Sequence, residues 1–550
     1  MSSFIPLLCI SCCLPLFIEC YALNDFIRAW PCLPPKGCDT CKVRRIRCSE
    51  EKPYCSKCTS TGRQCAYSAS GPQRALVSPI PQWHAGQRER RAFEFYFHRA
   101  GPALAGILDL TFWNGTVLQM CRLEPAVWDA VISLSTLYQR PPINDETPFS
   151  LIHSPAAVRH AYHQEALVWY SRSLAALQQR INQGVVDIAI STITCILFIA
   201  IELLQGHKTA AVALYNQGAQ LLASGTPSAP SGSGFQSLMA ITNPIFRRLG
   251  AQFLISTDGE LCDSWAVDYT DTNKLFTTIN EARNALLGLV AEWKILNKDI
   301  KRDLGNLNQA HVPNSSAFVI QQRQLQLEAR LRVWHTAFMS MMSPRYTGIY
   351  PPAQCSDDST CLLMMTYISI LIETRTSLAL NEMIYDEFEA DFNQILQYAP
   401  SALDATRSSD GSQPDFMFEM GVFLPLFITA LKCRHPQLRR RALSFLLDAP
   451  PVQGLCMCAP VVNVIATIIL IEEDLYDRDR IESLISVLAG PGKQSPAEKR
   501  VVTFNVSSYL NNEGIRENRL HLATYASDAE GRYGLSETSV LLPLLSEPAG

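Results

Sequence analysis

Six cysteines between Cys38 and Cys65 fall as Cys38-x2-Cys41-x6-Cys48-x6-Cys55-x2-Cys58-x6-Cys65, one ligand spacing written twice. Zinc is bound tetrahedrally by thiolates, so two ions ask for eight ligand positions, and six sulfurs fill them only if two bridge both metals. The doubled spacing therefore reads as a binuclear zinc site, each half supplying one bridging sulfur. Within a half, the x2 gap puts two thiolates on one turn of chain, and the x6 gap leaves room for a short helix and a return. Ser49-Glu50-Glu51-Lys52-Pro53-Tyr54 joins the halves as a polar loop whose proline restricts its path. A disulfide framework or unrelated thiols are the alternatives, and neither requires this repeat. A zinc ion fully ligated by sulfur has no open position for water, so the metal is not catalytic.

The charge around the cysteines points to a partner. Residues 36–67 hold eight bases (Lys36, Lys42, Arg44, Arg45, Arg47, Lys52, Lys57, Arg63) against three acids (Asp39, Glu50, Glu51), within a chain of 550 residues and net charge −4. Two zinc ions and six thiolates would take two from that excess and leave the module positive. A basic head on an acidic body is the electrostatic footprint of nucleic-acid binding through one end. Arginine and lysine also present paired donors to a guanine edge, which base reading needs.

The run Cys38-Asp39-Thr40-Cys41-Lys42-Val43-Arg44-Arg45-Ile46-Arg47-Cys48, followed by Lys52-Pro53-Tyr54-Cys55 and Cys58, resembles the fungal Zn2Cys6 transcription factors. The resemblance implies that Cys38 and Cys55 bridge two zinc ions and that Cys41, Cys48, Cys58 and Cys65 complete them. It implies further that the helix carrying Lys42, Arg44, Arg45 and Arg47 enters the DNA major groove. CGG-type sites would be read at Arg44 and Arg45, with Lys42, Arg47, Lys52 and Lys57 holding backbone.

Toward the N-terminus, residues 1–35 form an apolar extension in which Phe4 to Ile18 looks like the core of a secretory signal. It lacks a basic start, is followed by Glu19, is short for a bilayer span, and precedes a module that works in the nucleus. A signal or anchor, an unusual extension, and a gene model that starts too early all compete here, and the last is favoured. After the cluster, Ser68-Ala69-Ser70-Gly71-Pro72 through Pro79 and Pro81 reads as a linker over residues 68–85. No apolar heptads follow it, so a homodimer would form without an obvious coiled coil.

Residues 86–480 have helical periodicity and a length that supports a substantial core. Ser154-Pro155 opens a helix through Trp169 towards Arg180; further periods cover 208–224, 275–303, 317–342, 362–378 and 416–431. Val186 to Gln205 is nearly all apolar, and its acidic ends and amphipathic neighbours favour a buried central helix over a membrane span. Residues 481–550 read as a partly disordered tail. The fold class expected is a small zinc-stapled module followed by a large all-α domain. Arg91-Ala92-Phe93-Glu94-Phe95-Tyr96, Phe112-Trp113, Glu124-Pro125-Ala126-Val127, Glu202-Leu203-Leu204-Gln205-Gly206 and Pro425-Leu426-Phe427 resemble the helical regulatory domain of ascomycete members of the same family. That resemblance implies restraint of activation, effector response and contacts with transcription machinery or co-regulators.

Four local features read as bland. Arg434, Arg439, Arg440 and Arg441 suggest a solvated helix face more than a localisation signal, and His153, His160 and His163 suggest surface residues. Cys456-Met457-Cys458 has a gap that suits neither zinc nor a redox pair. Asparagines 114, 314 and 505 fit the glycosylation rule, which a nuclear protein does not meet. No phosphate-binding loop, dinucleotide fingerprint, nucleophile elbow or His-Glu-x-x-His motif is present, which argues against an enzyme. The expectation is thus a nuclear, non-membrane, DNA-binding activator of RNA polymerase II transcription, plausibly of a secondary-metabolite gene cluster. The alternative is a repressor or a co-regulator scaffold whose cluster is structural.

Overall fold

The computed structural model describes residues 40–41, 44, 46, 48–49, 51, 54–65, 86–141, 161–183, 188–223, 233–256, 275–306, 314–342, 357–379, 381–408, 410–476, 490–510, 516–527 and 533–542. The chain divides into two compact units, Met1–Ala85 and Gly86–Gly550. The extension at 1–35, the linker at 68–85 and the Ser154-Pro155 helix start lie outside the described residues.

In the first unit the cysteine loops close beside a short helix, α1 (Ser56–Thr59), and Thr40 and Cys41 are helical as well. The second unit is built from helices. Its opening stretch is α2 (Gln87–Phe95), a π-helical turn at Tyr96–Ala100 and α3 (Gly101–Ala105), then a second π turn at Thr111–Thr116 and α4 (Val117–Cys121). Tyr96 donates its hydroxyl to the Trp113 carbonyl at 3.0 Å, which fastens the two π turns together. Then come α5 (Pro125–Gln139), α6 (Ala161–Asn182), α7 (Ile188–Leu204), α8 (Lys208–Ala223) and α9 (Ser233–Ser256). Proline stands at the first turn of α5, where its missing N–H leaves no backbone acceptor unpaired. The apolar run expected to form a central helix is α7, buried along nearly its whole length, and no described helix is long and apolar enough to cross a membrane.

A further set consists of α10 (Ile279–Asn306), α11 (Asn314–Met342), α12 (Asp357–Thr376) and α13 (Glu389–Asp404). Ala282, Leu286, Leu289, Val290, Trp293, Leu296 and Ile300 recur at helical spacing on α10 and are all buried. They face α11, whose Trp334 stacks on Phe338 at 4.9 Å and donates its indole N–H to the Ala282 carbonyl at 2.8 Å. Closing the bundle are α14 (Phe423–Lys432), α15 (Pro436–Asp448) and α16 (Cys458–Glu472).

Two differences from the sequence reading concern strands. The helix expected from 416 begins only at Phe423; before it Phe416–Met417 (β1) pairs in parallel with Val452–Gln453 (β2), which pairs antiparallel with Cys456–Met457 (β3). Gly421, at φ +48, turns the chain out of β1 into α14. The expected tail contains a three-stranded antiparallel sheet, β4 (Val501–Leu510), β5 (Arg516–Ser527) and β6 (Tyr533–Leu541), added to a mainly helical unit. Val501, Leu520, Leu522 and Leu542 bury against Leu431, Val464 and Ile468 of α14 and α16. The alternation Val502-Thr503-Phe504-Asn505-Val506-Ser507 carried this strand signal in the sequence.

The arginines read as a solvated face are the clearest correction. Arg439 and Arg440 are buried, and Arg440 forms a two-toothed pair with Glu473 at 2.7 and 2.6 Å. Arg434 pairs with Asp386, while Arg441 stays exposed over the Phe445 ring. The acids that neutralise Arg439 and Arg440 come from the far end of α16, so only packing brings them together. His163 is likewise buried, its Nε2 3.2 Å from Gln205 Oε1; His153 and His160 lie outside the described residues. A second buried network joins Asp109 to Arg248 at 2.6 Å and to Arg283 at 3.1 Å, with Glu419 beside both arginines. Burial alone would raise the Asp109 carboxyl, but Arg283 and Arg248 outweigh it and hold it below the usual carboxylate range.

Candidate metal centre and nucleic-acid interface

Cysteine sulfurs form the core of the first unit. Cys41, Cys55, Cys58 and Cys65 are buried and Cys48 is packed against them. Their ligand atoms fall into two groups, Cys41 with Cys48 and Cys55, and Cys55 with Cys58 and Cys65; within each group all lie within 4.8 Å of one another. These are the groups of three or more His, Cys, Asp or Glu found able to hold a metal among the described residues. Cys55 belongs to both, which is the position a bridging thiolate must take.

The distances separate metal ligation from oxidation. Cys41 Sγ stands 3.6 Å from Cys55 Sγ and 3.8 Å from Cys58 Sγ. A disulfide brings sulfurs to about 2.05 Å. Two sulfurs on one tetrahedral zinc, each bonded at about 2.3 Å, stand about 3.8 Å apart. The Cys41–Cys55 spacing is that of two ligands on one ion, and none of the described cysteines forms a disulfide. Cys38, expected as the second bridge, lies outside the described residues.

Local backbone bonds explain how the sulfurs converge. Cys55 takes an extended conformation at the N-cap of α1, so its carbonyl accepts from the Cys58 and Thr59 amides at 3.0 and 3.1 Å while its own amide donates to Cys65 Sγ at 3.3 Å. An amide aimed at a thiolate stabilises its charge and helps fix its direction. Gly62 adopts φ +63 and lets the chain reverse after α1 and return to Cys65. In the first half the Arg44 amide donates to the Thr40 carbonyl at 3.3 Å and that of Ile46 to Cys41 at 3.2 Å, the start of a helical turn. Thr40 Oγ1 donates to the Gln64 carbonyl at 2.8 Å and ties the halves together.

Of the basic residues singled out, Arg44 and Lys57 are described; Lys42, Arg45, Arg47 and Lys52 lie outside. Lys57 is exposed on α1. Arg44 is half-buried and donates from Nη1 to Thr61 Oγ1 at 3.3 Å and to the Lys57 carbonyl at 3.5 Å. Without DNA, its guanidinium thus rests on the carbonyl end of α1, a contact between the two halves that the spacing of bases could not show.

Two sulfur groups that share Cys55, with Arg44 on the helical turn beside them, define a class, the zinc binuclear cluster proteins. The fungal Zn(2)-Cys(6) binuclear cluster domain matches residues 36–74, and such a domain binds two zinc ions. The chain thus carries a fungal Zn(2)-Cys(6) binuclear cluster domain, and the curated proteins it is similar to are named as transcription regulators. It is 27% identical over 222 residues, 34% of each chain, to the aspercryptin biosynthesis cluster-specific transcription regulator of Emericella nidulans. It is 59% identical over 45 residues, 8% of this chain and 9% of the other, to the transcriptional regulatory protein moc3 of Schizosaccharomyces pombe. A transcriptional regulator of Penicillium crustosum is 48% identical over 43 residues, 8% of each chain. The alignments thus span about a third or less of the lengths of these curated relatives. No solved structure matches the chain.

Proposed function

We propose that this protein is a sequence-specific, nuclear DNA-binding factor. In this reading Cys38, Cys41, Cys48, Cys55, Cys58 and Cys65 hold two zinc ions, with Cys38 and Cys55 bridging. The observation that carries the reading is Cys55's membership of both sulfur groups, directly after a first half rich in arginine. Zinc folds the module, because so few apolar residues cannot form a core without metal. Arg44 and Arg45 then present paired donors to guanine O6 and N7 in a CGG-type site, while Lys42, Arg47, Lys52 and Lys57 neutralise phosphates. Reading a base requires Arg44 to leave Thr61 and the Lys57 carbonyl, both of which water can satisfy at this half-exposed position.

Activation of a local secondary-metabolite gene cluster is the finer reading. It is supported by the role that the name of the Emericella nidulans relative gives it and by the extent of that likeness. An alignment of 222 residues cannot fit within a domain at 36–74, so most of it lies in the remainder of the chain.

Zinc counting on the purified full chain, combined with selection from a randomised duplex pool and a salt titration, tests the reading. Two ions per chain, enrichment of a CGG-type site and a steep fall of affinity with salt are expected. Two ions with no enrichment would instead establish a co-regulator scaffold with a structural cluster.

A further inference from the structure

The second unit holds a cavity of about 310 Å³ walled by α8, the end of α9, α14, β3, the start of α16 and β4. That volume falls at the lower end of the range of small-molecule sites. Phe423, Phe427 and Phe504 supply aromatic wall, and most of the rest is aliphatic or thioether. Among the described residues Lys208 is the single charged one in the lining. Its ammonium forms no ion pair with a carboxylate among the described residues, and burial pulls it below the usual lysine range, with Cys456 opposing weakly. Ser256 and Cys456, 3.6 Å apart through Oγ and Sγ, are the small polar groups near it. The Lys208 ammonium in this otherwise weakly polar wall therefore favours an anion.

We propose that this cavity binds an apolar monocarboxylic acid, of medium-chain or aryl-alkyl type, with its carboxylate on Lys208 and its tail among Phe423, Phe427 and Phe504. One cation in an apolar wall matches one negative charge; a phosphate dianion would ask for several more donors than Ser256 and Cys456 give. Because Phe504 comes from β4 and the remaining wall from helices and the β3 strand, an occupant joins the C-terminal sheet to the bundle. The site is separate from the cysteine cluster and does not depend on the DNA-reading role.

The test uses the zinc-loaded full chain with octanoate, 4-phenylbutyrate and the neutral octanamide, read by calorimetry and thermal unfolding. The acids should bind and raise the unfolding temperature, and octanamide should bind about tenfold or more weakly. Lys208→Met should remove that preference and leave octanamide binding in place, whereas Lys208→Arg should retain it. Val461→Trp, which fills the cavity from α16, should abolish binding of acids and amide alike. Should Lys208→Met fail to fold, the Lys208→Arg and Val461→Trp pair still decides. Absence of acid binding at millimolar concentration, equal affinity for acid and amide, or acid binding untouched by Val461→Trp would each overturn the proposal.

Discussion

The Arg439 guanidinium meets the Glu472 carboxylate at 2.6 Å with both side chains closed off from solvent. The same carboxylate receives Arg500 Nη1 at 2.8 Å and the Val501 amide at 2.8 Å. Glu472 therefore anchors α15 and the first residue of the C-terminal sheet to the end of α16. Removing one partner of a buried pair leaves an uncompensated charge, at a cost of about 3–5 kcal/mol. Glu472→Leu strands two arginines and an amide, whereas Arg439→Leu leaves Glu472 still paired with Arg500. Urea unfolding should thus show Glu472→Leu as clearly the more damaging of the two; equal losses would mean that Arg500 does not share the carboxylate.

Cys55 lies in both sulfur groups and Cys65 in one. Cys55→Ala should leave the dialysed protein with close to no zinc, and Cys65→Ala should retain an intermediate content, as measured by atomic emission. Similar metal contents in the two variants would argue against a bridging Cys55.

Arg44 touches Thr61 and Lys57 in this structure. Arg44→Ala should cost about 1–3 kcal/mol of specific DNA binding at unchanged zinc content. Thr61→Val removes only the contact inside the module and should leave base preference intact. Lys57→Ala should weaken binding to all sequences alike and reduce the salt slope by about one. If Thr61→Val reproduced the Arg44→Ala effect, Arg44 would act as a brace between the halves and not as a reader.

Helical glycine replaced by alanine normally gains about 1 kcal/mol. At Gly218 on α8 the sign should reverse, because a Cβ there would meet Phe246 Cζ at 2.5 Å and Cys195 Sγ at 3.0 Å. Phe246 is itself fully buried and stacked on Tyr215 at 4.8 Å, so the ring has little room to move. Gly218→Ala should lower stability by about 1–3 kcal/mol, the usual range for overpacking, in the same urea titration.

Burial pushes the Asp129 carboxyl up to about 6, with Arg172 pulling it down and Glu89 adding to the rise. An unfolded aspartate titrates near 3.9, so between about pH 4 and pH 6 the folded state binds more protons than the unfolded one. This group's contribution to stability consequently falls as pH rises through that window and stays at its lowest above it. Asp129→Asn should raise the unfolding temperature at pH 7, by up to about 2–3 kcal/mol of stability, and its advantage over the parent should vanish near pH 4. An advantage independent of pH would show that Asp129 does not titrate in this window.

The sequence by itself determined the doubled cysteine spacing of the candidate metal centre, the basic character of its first half and the helical class of the body. These are local properties: a ligand spacing, a charge count and the 3.6-residue recurrence that makes Leu286, Leu289, Val290 and Trp293 one face. The C-terminal sheet was also written locally, in the alternation through Phe504 and Val506, but a few residues of period two are weak beside long helical runs. Tertiary structure decided which groups meet. It placed Cys55 between the two sulfur groups and turned Arg44 onto α1. It closed Arg439 and Arg440 against Glu472 and Glu473, and set Lys208 in an apolar wall that Phe504 completes. A charged side chain's fate depends on whether a partner reaches it as water leaves, and that partner is chosen by packing between elements far apart in the chain.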